Sequence, residues 1–291
     1  PDRCSPRDWD CVISAAIGAQ QQTGAHYGMA ATLPELMPES VAQTLIAAGV
    51  VPFCGLSEAL AACAAAVVRP VNDTAPIVLP GQDSIALLIP EAEAKQRLAR
   101  YGLGIPKSER CTSAIEVGEA ANRIGFPIVL KGEGVAHKTE AGAVCLNITS
   151  VREAQIAAEK ISASSFLVEQ MIHDTVAELL IGVVRDPAHG FVLTLAAGGT
   201  LTEILEDSTS LLIPASQSSI EHALNKLKIA PLLHGYRGAA PANKDAILRA
   251  IQAVQDYTIA NAAGLHEIEI NPLICTPTDA IAADALLRCT K

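Results

Sequence analysis

Oxygen-bearing side chains stand at alternate positions near the end of the chain. Glu267, Glu269 and Asn271 are two residues apart, so in a strand they share one face. If a hairpin is centred on residues 276–279, whose composition favours a turn, Asn271 stands directly opposite Asp284. Opposed side chains lie about 4.5–5.5 Å apart at Cβ, which suits one small hard cation such as Mg²⁺. The alternative is an edge hairpin with solvated acidic side chains.

A lysine ends an apolar run in the middle of the chain. Residues 126–130 predict a buried strand that ends at Lys131, and a glycine-containing loop, 132–142, follows it. Such a lysine can reach a phosphate, and glycine lets the loop turn its N–H groups towards an anion. The Walker pattern GxxxxGK[ST] does not occur. The alternative is a strand-end lysine that extends into solvent.

Two further features favour a bound anion or another polar ligand. Gly198 and Gly199 follow a predicted strand, an arrangement that presents N–H groups to an anion. Glu178 lies in an apolar strand, 177–184, where a carboxylate needs a partner. These residues therefore join the candidates for a ligand site.

The composition limits the classes of protein. A chain of 291 residues predicts two or three domains, and the net charge of −10 argues against a nucleic-acid partner. The longest apolar run, 59–68, is too short to span a bilayer. Eight cysteines are scattered without a CxxC pair, which predicts reduced thiols and a cytoplasmic location. No signal peptide opens the sequence, and its start at Pro1 leads us to expect a fragment of a longer protein.

The N-terminal part alternates between strands and helices. Strands are predicted near residues 30–32 and 50–53, and helices at 38–47 and 57–68. Ser57 is the predicted N-cap of the second helix. This rhythm is typical of a parallel sheet covered by helices. Three prolines within residues 69–83 predict a domain boundary there.

Capping motifs predict several helices in the rest of the chain. Ser-x-x-Glu boxes begin at Ser113, Ser150 and Ser218, and each predicts a helix start. Further helices are expected at 91–100 and 243–262. With the apolar strands between them, these helices predict an α/β chain.

The lysine and hairpin segments, FPIVLKGEGVAHKTEAGAV and EIEINPLICTPTDAIAADAL, resemble the ATP-grasp domain of nucleoside-diphosphate-forming acyl-CoA synthetases. This family includes succinyl-CoA synthetase and the ADP-forming acetate–CoA ligases. FLVEQMI and RDPAHGFVLTLAAGGTLTEILED resemble further ATP-grasp segments, and GVVPFCGLSEALAACAAAV resembles the end of the family's CoA-ligase domain. The resemblance implies an α/β fold, with an ATP-grasp fold of two α/β lobes at 77–291. A partial flavodoxin-like, parallel-sheet CoA-ligase domain and a linker would precede it at 1–76.

The resemblance implies metal-binding and catalytic roles. Asn271 and Asp284 would hold Mg²⁺, and Glu269 would face the phosphoryl group that is moved. Glu203 occupies the family's acidic position and would share the catalytic role. Ala196 stands where the family usually has a glycine, which narrows the adjacent loop slightly.

The resemblance also implies nucleotide-binding roles. Glu169 and Met171 would border the adenine, against which a soft methionine side chain packs well, although a core methionine is the ordinary alternative. Glu178 would bind the ribose. Ala143 stands where the family often has a glycine. ATP or ADP binding is assigned to Lys131, Gly134, His137, Lys138, Glu169, Met171, Glu178, Gly198 and Gly199.

The implied function is that of the ATP-binding part of an acyl-CoA synthetase, an acid–CoA ligase. A phosphoryl group would pass between ATP·Mg and a phosphohistidine of the CoA-ligase half, and CoA would bind mainly outside this chain. His26, in TGAHYG, does not match the phosphohistidine loop, so we expect that half upstream or on another chain. A small carboxylic acid is the expected substrate, and a homodimer is left open. The alternatives are a regulatory ligand-binding region of a protein lysine acyltransferase and another ATP-grasp carboxylate ligase.

Overall fold

The fold divides into two parts. The computed structural model describes residues 7–67, 76–82, 85–133, 142–199 and 206–290. Clustering of the Cα positions gives two compact units, Pro1–Asn72 and Asp73–Lys291. Each unit has its own hydrophobic core.

The first unit alternates between helices and short strands. Its elements are α1 (Arg7–Thr23), β1 (Tyr27–Ala30), α2 (Glu39–Ala47), β2 (Val50–Phe53) and α3 (Leu56–Val67), with a 3₁₀ turn at Pro34–Leu36. β1 and β2 pair in parallel, as the alternation predicts. The core of this unit is formed by Ala31, Met37, Val41, Leu45 and Val50.

Two features of the first unit differ from the prediction. α3 begins at Leu56, so Ser57 lies inside the helix and is not its N-cap. α1 has no counterpart in the prediction. Its sequence carries Gly18 in the interior, and glycine is unfavourable at such a position, so the helical signal there is weak.

The second unit contains the remaining elements. In chain order these are β3 (Leu87–Ile89), α4 (Glu91–Ala99), β4 (Ser108–Cys111), α5 (Ala114–Ile124), β5 (Ile128–Gly132), β6 (Val144–Ile148), α6 (Val151–Lys160), β7 (Phe166–Gln170), β8 (Ala177–Asp186), β9 (Gly190–Ala197), β10 (Ser208–Leu212), α7 (Gln217–Lys226), α8 (Ala230–Leu233), α9 (Lys244–Ala260), β11 (Leu265–Cys275), β12 (Ala280–Ala282) and β13 (Leu286–Cys289).

A four-stranded antiparallel sheet with α5 and α6 forms what we call the small lobe. The strand order is β4-β7-β5-β6. Ile128, Leu130 and Val168 point into the core beneath the helices. Because side chains alternate along a strand, Lys131 and Glu169 lie on the opposite face of the sheet.

A seven-stranded sheet with α4, α7, α8 and α9 forms the large lobe. The strand order is β10-β9-β8-β11-β13-β3, and β12 pairs with β11. Ile181, Leu193, Ile251 and Ile268 lie in the core between this sheet and the helices. The other face of β8 and β11 is partly open.

Two of the three predicted capping boxes form. The Oγ atoms of Ser113 and Ser150 accept hydrogen bonds from the backbone N–H groups of Glu116 and Glu153, each at 3.3 Å. The third box is wrong, because Ser216, not Ser218, is the N-cap of α7.

No helix within the described ranges combines the length and the apolar character that crossing a membrane requires.

Candidate functional site

The C-terminal hairpin has the register that the sequence predicts. β11 pairs with β12 and with β13 in antiparallel fashion. Between these pairings, the N–H of Ala283 donates to the carbonyl of Pro272 at 3.0 Å, so the neighbouring residues Asn271 and Asp284 stand opposite one another. The second strand is not continuous as predicted, because residues 283–285 separate β12 from β13. Asp284 lies in this interruption.

The side chains of β11 alternate between two environments. Ile268 and Ile270 are fully buried, whereas Glu267 and Glu269 are partly exposed, as the alternation predicts. The pairing of β11 with β8 shifts between Ile270 and Leu273, which is a bulge at the asparagine–proline pair. Bulges redirect side chains and are common beside active sites.

The glycine turn after β9 lies against this hairpin. The N–H of Gly199 donates to Oδ1 of Asn271 at 3.0 Å, and the N–H of Gly198 donates to the carbonyl of Glu178 at 2.8 Å. A Cβ atom at Gly198 would lie 2.5 Å from the carbonyl carbon of Leu179. Gly199 has a φ of +78°, and a Cβ atom there would overlap a carboxylate oxygen of Glu178. Four predicted site residues therefore meet here.

Glu269 is an acidic group whose ionisation the site disfavours. Partial burial raises the pKa of Glu269, and the negative charges of Glu267 and Asp284 raise it further. A hydrogen bond with Asn271 acts in the opposite direction. A cation held beside these groups would reduce the repulsion between them.

Lys131 does not extend into solvent, so that alternative is wrong. Its Nζ donates to Oε1 of Glu91 at 2.7 Å and to the carbonyl of Ala283 at 2.6 Å, and it lies 3.0 Å from Oε2 of Glu169. Lys95 contacts the same three residues: Glu91 at 2.8 Å, Glu169 at 2.5 Å and the carbonyl of Ala283 at 3.0 Å. The four side chains of Glu91, Lys95, Lys131 and Glu169 are called the lysine–glutamate cluster below.

The lysine–glutamate cluster is almost completely removed from solvent. Lys95 is 1% exposed, Glu169 2%, and Glu91 and Lys131 7% each. Burial alone would lower the pKa of Lys131, but the carboxylates of Glu169, Glu91 and Asp284 outweigh it and raise that pKa above the ordinary lysine range. Lys131 is therefore a buried cation. Removing one partner from a buried ion pair costs about 3–5 kcal/mol.

The lysine–glutamate cluster connects the two lobes. Glu91 and Lys95 lie on α4, whose Ala94 and Leu98 belong to the core of the large lobe. The other two members lie on β5 and β7 of the small lobe. The shared carbonyl, that of Ala283, directly precedes the aspartate of the hairpin. The lysine predicted to bind phosphate and the aspartate predicted to bind metal are thus neighbours.

Glu169 differs from its predicted place beside the adenine. Its carboxylate contacts Lys95 and Lys131, because strand alternation directs it towards α4 and not towards open space. The sequence analysis missed Lys95 and Glu91. They are four residues apart on a helix, a spacing that usually indicates an ordinary surface ion pair, so no sequence signal marks them.

Of the remaining predicted nucleotide-binding and catalytic residues, only Met171 lies within the described ranges. Met171 directly follows β7 and is partly buried. Its N–H donates a hydrogen bond to the carbonyl of Pro127 at 3.2 Å. Its predicted contact with adenine stays a prediction. The predicted residues that lie outside the described ranges are Gly134, His137, Lys138 and Glu203.

A cavity of about 480 Å³ lies beside the turn of the hairpin. It is lined by residues 173–176 and 276–278 and by Tyr236, among others. Among the predicted nucleotide and metal ligands that the structure describes, none lines this cavity. The candidate chemistry lies instead on the open face of the large sheet.

The side chains on that face fit Mg²⁺. The side chains of Asn271, Asp284 and Glu269 each offer at least one oxygen ligand, which hard cations prefer. Within the described ranges, no group of three or more His, Cys, Asp or Glu side chains could hold a metal ion by itself. Mg²⁺ is usually held by one or two protein ligands, with water and phosphate oxygens completing its shell.

Comparison with protein families gives a match over most of the second unit. Residues 84–289 match the model described as the ATP-grasp domain. The chain belongs to the ATP-grasp domain family. The α/β ATP-grasp fold predicted from the sequence is therefore confirmed for this unit. The matched residues begin after the first unit, so the assignment of that unit to a CoA-ligase domain stays a prediction.

Similar proteins include acid–CoA ligases. The chain is 33% identical over 231 residues to a trans-feruloyl-CoA synthase from an unidentified prokaryote, covering 74% of this chain and 32% of the synthase. It is 29% identical over 207 residues to the beta subunit of ADP-forming acetate–CoA ligase I from Pyrococcus furiosus, covering 67% of this chain and 89% of that subunit. The chain thus spans about a third of the synthase. The resemblance to nucleoside-diphosphate-forming acyl-CoA synthetases is confirmed.

Similar solved structures include acetyl-coenzyme A synthetase 1 of Candidatus Korarchaeum cryptofilum. In complex with coenzyme A and Ca-AMPCP, it has a TM-score of 0.65 and 27% identity, covering 70% of this chain and 93% of that chain. Another structure of that enzyme holds coenzyme A and Mg-AMPPCP, and its phosphohistidine segment points towards the nucleotide-binding site. It has a TM-score of 0.61 and 28% identity, covering 69% of this chain and 92% of that chain.

Proposed function

We propose that this chain is the ATP-binding part of a nucleoside-diphosphate-forming acyl-CoA synthetase, an acid–CoA ligase. In this role it moves a phosphoryl group between ATP·Mg and a phosphohistidine of a CoA-ligase half. The names of its relatives support this class of reaction. The nucleotide analogues bound by a similar enzyme support the kind of ligand.

One observation carries the proposal: the register of the hairpin that sets Asn271 opposite Asp284. Glu269 lies on the same face, and the N–H of Gly199 binds the Asn271 side chain. Two oxygen ligands, a nearby carboxylate and a glycine turn suit a Mg²⁺–phosphate group.

Phosphoryl transfer mainly requires positioning and charge neutralisation from a protein. Mg²⁺, when bound, supplies neutralisation at the phosphate oxygens. The proposed residues divide the other tasks: Glu269 and Glu203 orient the incoming imidazole. Asn271 and Asp284 are the metal ligands. The phosphates are bound by Lys131, Gly134, His137, Lys138, Gly198 and Gly199, the ribose by Glu178, and the adenine by Met171.

The complete reaction needs a CoA-ligase half, in the same polypeptide or as a separate subunit. That half carries the phosphohistidine and most of the CoA contacts, and it accepts the small carboxylic acid. A relative that is named a beta subunit supports the separate-subunit arrangement as one of the two forms. The first unit of this chain is proposed to belong to the CoA-ligase half.

The metal assignment is tested with Asp284→Asn. Removing the carboxylate should abolish the Mg²⁺ dependence of ADP binding, measured by calorimetric titration with and without Mg²⁺, while the circular dichroism spectrum stays unchanged. Asp279→Asn is the matched control, since Asp279 lies in the turn of the same hairpin and its carboxylate accepts a hydrogen bond from the hydroxyl group of Thr278. Equal, Mg²⁺-dependent affinities in Asp284→Asn and wild type would refute the assignment.

The phosphoryl-transfer step is tested by ATP–ADP exchange in the presence of a CoA-ligase half with its phosphohistidine segment. Exchange that requires both polypeptides is the expected result. Nucleotide binding without exchange would favour a regulatory binding region instead. Phosphorylation of an added carboxylate without any phosphohistidine would favour another ATP-grasp ligase.

A further inference from the structure

A second lysine duplicates the contacts of the candidate phosphate-binding lysine. Nζ of Lys95 and Nζ of Lys131 both bind Oε1 of Glu91 and the carbonyl of Ala283. Each also contacts one carboxylate oxygen of Glu169, Lys95 at 2.5 Å and Lys131 at 3.0 Å. One lysine would satisfy the shared carbonyl, so the presence of two calls for a physical explanation.

Both lysines of the lysine–glutamate cluster help to neutralise its two carboxylates. Two ammonium groups face two carboxylates, and all four residues are less than a tenth exposed. A buried charge without a partner is strongly unfavourable. Lys131 could therefore leave its carboxylates for a phosphate at a lower cost if Lys95 remained beside them.

We propose that Lys95 is a positioning residue that frees Lys131 for the nucleotide. When the ammonium group of Lys131 turns towards a nucleotide phosphate, Lys95 keeps Glu91, Glu169 and the carbonyl of Ala283 in place. This inference rests on the proposed function, and it adds to it a residue that itself contacts no ligand.

Lys95 would also hold the backbone next to the proposed metal ligand in place. Ala283 directly precedes Asp284, the proposed metal ligand, and lies where β12 has ended and β13 has not begun. Ala283 belongs to neither strand, and its N–H donates a hydrogen bond to the carbonyl of Pro272 on β11. The hydrogen bond from Lys95 would hold the Ala283 carbonyl after Lys131 has left it. The metal ligand thus stays in place during nucleotide binding.

The test compares the affinity for Mg·ADP of the full chain with that of three variants. Lys95→Met removes one of the two lysines that contact Glu91 and Glu169, so Lys131 is held there more strongly and Mg·ADP binding should weaken by about tenfold, the worth of one charged hydrogen bond. Lys95→Met/Glu91→Gln removes one carboxylate as well and should restore most of the affinity. Lys160→Met, at the exposed end of α6, is the matched control and should bind as wild type does.

Glu91→Gln alone gives an independent measurement. It leaves Lys95 with Glu169 and releases one anchor of Lys131, so Mg·ADP should bind about fivefold more tightly than in wild type. This variant keeps both lysines, and it decides the matter if Lys95→Met fails to fold, as judged by circular dichroism and thermal unfolding. Weaker binding by folded Glu91→Gln would overturn the proposal.

The outcomes separate this inference from the function on which it rests. If wild type binds Mg·ADP and Lys95→Met binds it within twofold, the role of Lys95 is refuted while the proposed function stands. If Lys95→Met loses affinity and the added Glu91→Gln does not restore it, Lys95 acts through packing and not through charge, which also refutes the proposal. If wild type itself does not bind Mg·ADP, both ideas fall together.

Discussion

At the scale of single residues, the ionisation of the Glu269 carboxyl group opposes folding. Its burial and the nearby charges of Glu267 and Asp284 raise its pKa. Because the pKa is higher in the folded state than in the unfolded state, protonation favours folding. This stabilising contribution is complete below the ordinary glutamate pKa of about 4.3, and it is lost as the pH rises through the raised value.

Glu269→Gln should therefore stabilise the ligand-free protein at neutral pH. Glutamine resembles the protonated carboxyl group, so it removes the repulsion and the cost of burying a charge. We expect a larger free energy of unfolding than in wild type at pH 7, with a difference that shrinks as the pH falls towards about 4.3. Urea unfolding at several pH values measures this difference.

The control for Glu269→Gln is Glu159→Gln, which changes an exposed carboxylate on α6. This variant should follow wild type at every pH. A Glu269→Gln variant that is no more stable than wild type at pH 7 would contradict the raised pKa. Adding Mg·ADP should make wild type more stable than Glu269→Gln, because a glutamate at position 269 attracts the bound cation and a glutamine does not.

The residue scale also shows where sequence reasoning ends. Asn271 and Asp284 could be paired from the sequence, because a short turn fixes the register of a hairpin. The partners of Lys131 could not be predicted. Glu91 is 40 residues away and Ala283 is 152 residues away, and only the packing of the two lobes brings them together.

At the scale of elements, Ser-x-x-Glu patterns predicted the N-caps of α5 and α6 correctly and that of α7 incorrectly. Ser113 and Ser150 act as N-caps, and each is followed three residues later by a glutamate. Ser216, Ser218 and Ser219 compete at the start of α7, and the first of them is the cap. The choice depends on where the preceding loop delivers the chain, which is a tertiary effect absent from a local pattern.

The glycine turn after β9 allows an element-scale prediction. Gly198→Ala should destabilise the protein by about 1–3 kcal/mol, the usual cost of overpacking, because the new Cβ would lie 2.5 Å from the backbone of β8 at Leu179. Displacement of the turn should also weaken Mg·ADP binding, since the next N–H binds Asn271. Thermal unfolding and nucleotide titration measure the two effects.

Gly182→Ala is the matched control for this prediction. Gly182 lies on β8 itself, and a Cβ there would meet Leu180 at 3.5 Å and Thr194 at 3.7 Å, which are ordinary van der Waals contacts. It should change the stability little. Equal stability losses in the two variants would mean that the close approach at Gly198 is not what requires glycine.

At the scale of the whole molecule, the chain consists of two units with very different cores. Among the described residues, five buried apolar side chains form the core of the first unit. The second unit has one core between the large sheet and its helices and another in the small lobe. The alternation of strands and helices predicted the parallel pair of the first unit. It could not predict α1 or the division of the second unit into two sheets, because strand order depends on long-range pairing.

The two units lead to a prediction about thermal unfolding. A ligand stabilises only the cooperative unit that binds it, by about 2.7 kcal/mol at a free concentration of 100 times Kd. We therefore expect scanning calorimetry to show two transitions, with Mg·ADP raising the midpoint of the larger one by several degrees. The smaller transition, from the unit Pro1–Asn72, should not move.

Asp284→Asn should abolish the shift without changing the ligand-free scan greatly. Movement of both transitions together would contradict independent units, and a shift that persists in Asp284→Asn would contradict the proposed metal ligand.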